Sequence, residues 1–150
     1  MPHEQDDARW MGRAVDLASR SPRSATAFAV GAVLVAAGLE VSAGWSRDTD
    51  PLVHAEESAL LRAAGDARLP GATLYSTLEP CSKRTHRPDA TCTGLIVAAG
   101  IPRVVIAWRE PDIFVTCEGV ALLTAAGVEV VELPAFAVQA RAVNAHLPGL

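Results

Sequence analysis

The sequence predicts an α/β fold: a three-layer α/β/α domain in which a mixed five-stranded sheet carries helices on both faces. Three observations carry this. Segments with helical apolar spacing alternate with short runs rich in Val, Ile and Leu. Strands separated by helices of this kind imply βαβ units and a mainly parallel sheet buried on both sides. The chain has 150 residues, 50% of them hydrophobic and 20% charged, with no linker, repeat or low-complexity tract. That is enough for one substantial core, so a single domain is expected over residues 1–150.

Taken in order, residues 7–19 place Trp10, Ala14, Leu17 and Ala18 on one helical stripe, and "SPRSAT" ends that helix. "FAVGAVLVAAG" reads as a buried strand, and "LEVSAGWS" after Gly38 as its antiparallel hairpin partner. The polar stretch "RDTDP" leads into a helix over about 54–64, closed by Gly65. "ATLYSTL" is the third strand and a loop with two cysteines follows it. "TCTGLIVAAG" is then a helix ending at Gly100, "RVVIAW" a strand, "CEGVALLTAAG" a helix and "VEVVEL" the last strand. Pro134 opens a final helix through about His146.

The totals narrow the function classes. A net charge of -4 gives no general polyanion-binding face, so nucleic acid is not expected as a partner. No apolar run approaches a membrane span, and the acidic, polar start "MPHEQDDARW" does not read as a signal peptide. Three cysteines do not make a secreted disulfide framework, so the expectation is a reduced, cytoplasmic protein.

The chemistry lies in "HAE" and in "EPCSKRTHRPDATC", residues 79–92. At the first turn of a helix, His54 and Glu56 both reach a site in front of the helix end. Imidazole is a good zinc ligand, and a carboxylate two residues on can work on water held by the metal. Cys81 follows a strand and Cys92 starts the next helix, so both lie at the carboxyl edge of the sheet, where open α/β folds place ligands. One imidazole and two thiolates leave the fourth tetrahedral position of zinc open, as a catalytic site requires. Helix N-termini favour the thiolate forms. Other readings stay open: a structural zinc with His86 as fourth ligand, a disulfide, or two small buried thiols.

The pattern "HAE…TLEPC…C" resembles the zinc-dependent cytidine deaminase superfamily, whose signature is H-x-E followed by P-C-x-x-C. "HAEESALLRAAG", "GATLYSTLEPCS", "LIVAAGIPRVVIAWREPD" and "GVALLTAAGVEVVEL" are similar to the riboflavin-biosynthesis pyrimidine deaminases, in which a long loop replaces the two-residue spacer. The resemblance implies a cytidine-deaminase-like fold and a Zn²⁺ held by His54, Cys81 and Cys92. It implies Glu56 as the catalytic acid/base, taking a proton from water, passing it to the ring nitrogen and protonating the departing amine. The implied reaction converts an amino-substituted pyrimidine, with or without a phosphate, to its oxo form and ammonia. The implied assembly is a homodimer or homotetramer, and no reductase domain is expected in this chain.

Two positions depart from the riboflavin-pathway pattern. Ala27 and Asp112 stand where that family carries asparagines, whose amides both donate and accept hydrogen bonds. "FAVGA" is instead similar to the nucleoside-type cytidine deaminases, so Phe28 is a candidate stacking partner for a heterocycle, as is Trp108. The departures keep a second reading open, a deaminase of another base, nucleoside or specialised metabolite; a non-catalytic zinc-binding subunit is a third. Lys83, Arg84, His86 and Arg87 form a cationic loop beside the metal, which suits a phosphate or another acidic group. Cys117 lacks metal-ligand spacing and is assigned no role.

Overall fold

The computed structural model describes residues 2–111 and 117–148, and Asp112 lies outside them. The elements run α1 (Pro2–Ala18), β1 (Gly31–Ala36), β2 (Leu39–Trp45), α2 (Ala55–Arg62), β3 (Thr73–Ser76), α3 (Cys92–Ala99), β4 (Arg103–Ile106), α4 (Gly119–Ala125), β5 (Glu129–Glu132) and α5 (Ala137–Ala142). The strands form one five-stranded sheet in the order β2-β1-β3-β4-β5. Helices α1 and α5 cover one face, while α2, α3 and α4 cover the other. Among the described residues no helix is long and apolar enough to cross a membrane.

The sheet is less parallel than expected. β1 pairs antiparallel with both β2 and β3, whereas β3–β4 and β4–β5 are parallel. The cause is the tight β1–β2 turn at Ala37 and Gly38, both left-handed (φ 51° and 76°), which suits a two-residue hairpin. The hairpin reverses the chain, and the α2 crossover then carries it past β1, so β1 runs against both neighbours. Its entry segment, residues 27–30, therefore reaches the same edge as the carboxyl ends of β3 and β4.

The core follows the sequence pattern. Met11, Ala14 and Leu17 of α1, all of β1, Leu74 and Tyr75, Ile96, and Val104 to Ile106 are buried. Burial of such side chains contributes roughly 1.5–3 kcal/mol each relative to exposure. The hairpin is gripped from both sides: a Cβ on Gly31 would lie 1.9 Å from Ala14 O of α1, and one on Gly44 2.8 Å from Ala55 O of α2.

Several elements are shorter than the pattern suggests, and at three boundaries a side chain takes over the backbone partner. β1 begins at Gly31 rather than Phe28, since the Ala29 N–H donates to Asn144 Oδ1 (2.7 Å) and the Val30 N–H to Ser46 Oγ (2.9 Å). α4 begins at Gly119 because Cys117 Sγ donates to Pro80 O (3.3 Å) and the Glu118 N–H to Ser82 Oγ (2.8 Å). α5 stops at Ala142, short of His146, where the chain turns inward. There Asn144 Nδ2 donates to Ala29 O and Ala140 O, and His146 Nε2 lies 2.9 Å from Ser24 O.

Candidate active site

His54 is the N-cap of α2, its extended backbone (φ -88°, ψ 157°) aiming the side chain out in front of the helix. The loop that delivers it is tied down by Asp48, which accepts from Ser58 Oγ and from Arg62 Nη1 (2.7 Å). Cys92 starts α3, whose N-cap Thr91 accepts from the Gly94 N–H at 3.2 Å. Cys81 follows β3, anchored by its carbonyl, which accepts from the Thr93 N–H at 3.1 Å.

These elements bring three ligand atoms together. His54 Nδ1 lies 3.5 Å from Cys81 Sγ and 3.4 Å from Cys92 Sγ, and all three atoms lie within 4.8 Å of one another. A tetrahedral zinc with Zn–S of about 2.3 Å and Zn–N of about 2.0–2.1 Å needs N and S about 3.6 Å apart. The triad fits. The electrostatics fit as well: Cys81 Sγ accepts the Cys92 N–H at 3.2 Å, and its thiol is drawn down by hydrogen bonds from Cys92 and His54. Cys92 is pushed up by the same contact and by burial. Burial pulls the His54 imidazole down, but the Cys81 contact and charge outweigh it and the net direction is up.

Glu56, in the first turn of α2, is buried to 4% exposure and faces the same cavity as His54 and Cys81. Burial raises its pKa to about 7, with the nearby imidazole pulling the other way. The cavity has a volume of about 390 Å³. Its polar wall includes Ser24, Thr26, Arg47, Glu79 and Glu110.

The remaining expected residues divide. Ala27, Phe28, Lys83, Arg84 and His86 line the cavity, and Lys83 and His86 are exposed at it. Trp108 and Arg87 do not line it. Trp108 is buried behind Phe28, the rings edge-to-face at 5.9 Å, with the Arg141 guanidinium 5.1 Å from the Trp108 ring. Arg84 is buried, and Nη2 meets Glu57 Oε1 at 2.7 Å. Arg87 pairs with Glu57 Oε2 (3.0 Å) and with Asp50 (3.2 Å). Two of the loop's four candidate cations are thus held by carboxylates of this chain.

Sequence reasoning missed Glu57, Glu79, Glu110 and Arg47. Glu79 spans two elements, accepting from the Glu110 N–H (3.0 Å) and the Val120 N–H (2.8 Å). Among the described residues the buried Glu110 Oε2 has no hydrogen-bond partner, and burial raises the pKa of this carboxyl to about 7. Arg47 takes a left-handed φ of 59° and donates to Pro22 O, Phe28 O and Ser21 Oγ, which fixes the wall carrying Phe28. The doubled carboxylate in "HAEE" ahead of a cationic loop was the available signal for Glu57.

Known proteins agree with this geometry. The cytidine and deoxycytidylate deaminase zinc-binding region matches residues 4–108. A diaminohydroxyphosphoribosylamino-pyrimidine deaminase of Schizosaccharomyces pombe is 46% identical over 127 residues, which is 82% of this chain and 31% of that protein. RibD of Acinetobacter baumannii superposes with a TM-score of 0.80 at 32% identity, covering 94% of this chain and 38% of that one. The Aspergillus oryzae Rib2 deaminase in complex with DARIPP gives a TM-score of 0.72 at 27% identity, covering 85% and 84%. The chain thus spans about a third of the length of the first two of these relatives. With the fold, the zinc-fitting triad and the family match in agreement, this chain belongs to the cytidine and deoxycytidylate deaminase family.

Proposed function

We propose that this protein is a hydrolytic deaminase of an amino-substituted pyrimidine of the riboflavin-pathway type, releasing ammonia. The observation that carries the reading is Glu56. It is a buried carboxyl placed on one cavity with a zinc-fitting imidazole and thiolate, in a position that a purely structural metal site has no use for.

His54, Cys81 and Cys92 would hold a zinc ion, which would supply Lewis acidity and lower the pKa of water from near 16 to about 7. Glu56 takes one proton of the attacking water and delivers it to the ring nitrogen. It then takes the second proton, from the hydroxyl of the tetrahedral adduct, and passes it to the amine as the C–N bond breaks, leaving the oxo ring and ammonia. Burial keeps that carboxyl out of competing solvent. Phe28, braced edge-to-face by Trp108, offers a ring face to the heterocycle. Lys83 and His86, exposed at the cavity, are the contacts for a 5′-phosphate. The names of the fungal relatives support the substrate class. Assembly as a homodimer or homotetramer is supported by exposed Leu61, Val97 and Leu122 on the α2–α4 layer. A cytoplasmic site of action is supported by the free thiols of Cys81, Cys92 and Cys117.

One observation favours a second reading, a deaminase of an unphosphorylated ring. Ala27 lines the cavity where the riboflavin-pathway family has an asparagine, so the wall lacks an amide there. Ammonia release is measured on the diaminopyrimidine with and without its phosphate, then on cytosine, cytidine, deoxycytidine, deoxycytidine monophosphate and guanine. Turnover of the phosphorylated diaminopyrimidine is the expected result. Turnover confined to unphosphorylated rings supports the second reading. Inactivity on every compound contradicts both.

A further inference from the structure

Arg84 makes three hydrogen bonds, each to a different part of the metal site. Its Nη1 donates to Ala90 O at 2.8 Å, two residues before Cys92. Its Nη2 donates to Leu52 O, two residues before His54, and to Glu57 Oε1 at 2.7 Å. The same Glu57 Oε1 accepts the His54 N–H at 3.2 Å. Arg84 itself stands three residues after Cys81. One planar guanidinium therefore touches the segments that carry all three ligands, and its side chain is only 5% exposed.

We propose that Arg84 is a positioning residue that presets the zinc site by clamping the three ligand-bearing segments, with Glu57 as its counter-ion. This rests on the zinc reading of His54, Cys81 and Cys92. Arg84 and Arg87 together face Glu57 and Asp50, so their charges are balanced within the protein. Only Lys83 and His86 of the loop remain turned toward a substrate anion. A buried arginine suits the clamp because its fork serves several acceptors in one plane, which a lysine ammonium does not. Outer partners that orient ligands are worth about 10–100-fold in metal affinity.

The test is zinc affinity by chelator competition on Arg84→Gln, Arg84→Lys, Glu57→Gln and Lys83→Gln. The visible spectrum of each cobalt-substituted protein is recorded beside it. The Arg84 variants and Glu57→Gln are expected to bind zinc about 10–100-fold more weakly and to show altered cobalt–thiolate bands. Lys83→Gln is expected to match the wild type in both. Should Arg84→Gln fail to fold, Arg84→Lys, which keeps the charge, and the isosteric Glu57→Gln decide. Wild-type zinc affinity and cobalt spectrum in these variants overturn the proposal. So does a defect confined to a raised KM for a phosphorylated substrate, which would make Arg84 an anion contact. A wild-type protein that holds no zinc refutes the reading of the site itself.

Discussion

Gly119→Ala tests how tightly α4 is built against the metal site. A Cβ at position 119 would lie 2.1 Å from Pro80 O and 3.1 Å from Glu79 Cγ, whereas ordinary contact begins at 3.4 Å. Moving from 2.1 to 3.4 Å demands a shift of about 1.3 Å by the Pro80 carbonyl or the first turn of α4. Neither is free to give. Pro80 O accepts Cys117 Sγ, Ser82 Oγ accepts the Glu118 N–H, and Glu79 accepts the Val120 N–H. Pro80 also precedes Cys81, and metal–ligand distances hold to about 0.2 Å. Overpacking of this kind costs about 1–3 kcal/mol, or roughly 2–12 °C in Tm for a domain of this size. Thermal unfolding and zinc titration should therefore show both a lower Tm and weaker zinc binding. Gly12→Ala is the control, since nothing lies within 4 Å of its Cβ and it sits inside α1. It should gain about 0.5–1 kcal/mol. A Gly119→Ala protein with wild-type Tm and zinc affinity would refute the packing argument.

Two further substitutions probe the supports around the site. Tyr75 donates to Asp7 Oδ1 at 2.6 Å, and Arg103 grips the same carboxylate through both nitrogens. Burial and then the Asp7 contact push the Tyr75 hydroxyl above its ordinary value. A raised folded pKa means this contribution is present below about pH 10 and fades as pH rises beyond it, because the unfolded chain ionises first. Tyr75→Phe should cost about 1–3 kcal/mol in urea unfolding at pH 7 and flatten the alkaline decline; an unchanged decline counts against the assignment. Asn144→Ala strips both polar groups of Ala29 of their partner and should cost about 2–4 kcal/mol. Because Phe28 adjoins Ala29, it should raise KM more than it weakens zinc binding, and the reverse order would mean that Asn144 supports the metal.

The sequence was informative where one residue's type and neighbours settle its place. Alternating periods order the helices and strands, and Cys81 and Cys92, each flanking a polar loop at a strand or helix end, come together with His54 as their spacing suggested. It was silent where the partner is remote. Glu57 and Arg84 stand 27 residues apart, and nothing local distinguishes an arginine that faces a substrate from one that faces a buried carboxylate. β1 reads as a buried apolar strand in either direction, so its antiparallel pairing with β3 appears only once the hairpin turn is fixed. Phe28 and Trp108 are equivalent by composition; the edge-to-face contact decides that Phe28 meets the cavity and Trp108 stands behind it. Asp112 falls outside the described residues.

On the proposed function, Glu56 performs acid/base chemistry beside a zinc held by His54, Cys81 and Cys92. Zinc stoichiometry and ammonia release, measured together on wild type and Glu56→Gln, test it most directly. One zinc per chain in both proteins, with ammonia from the wild type alone, is the expected result. Zinc-loaded Glu56→Gln that turns over as fast as wild type, or a wild type that binds no zinc, would contradict it.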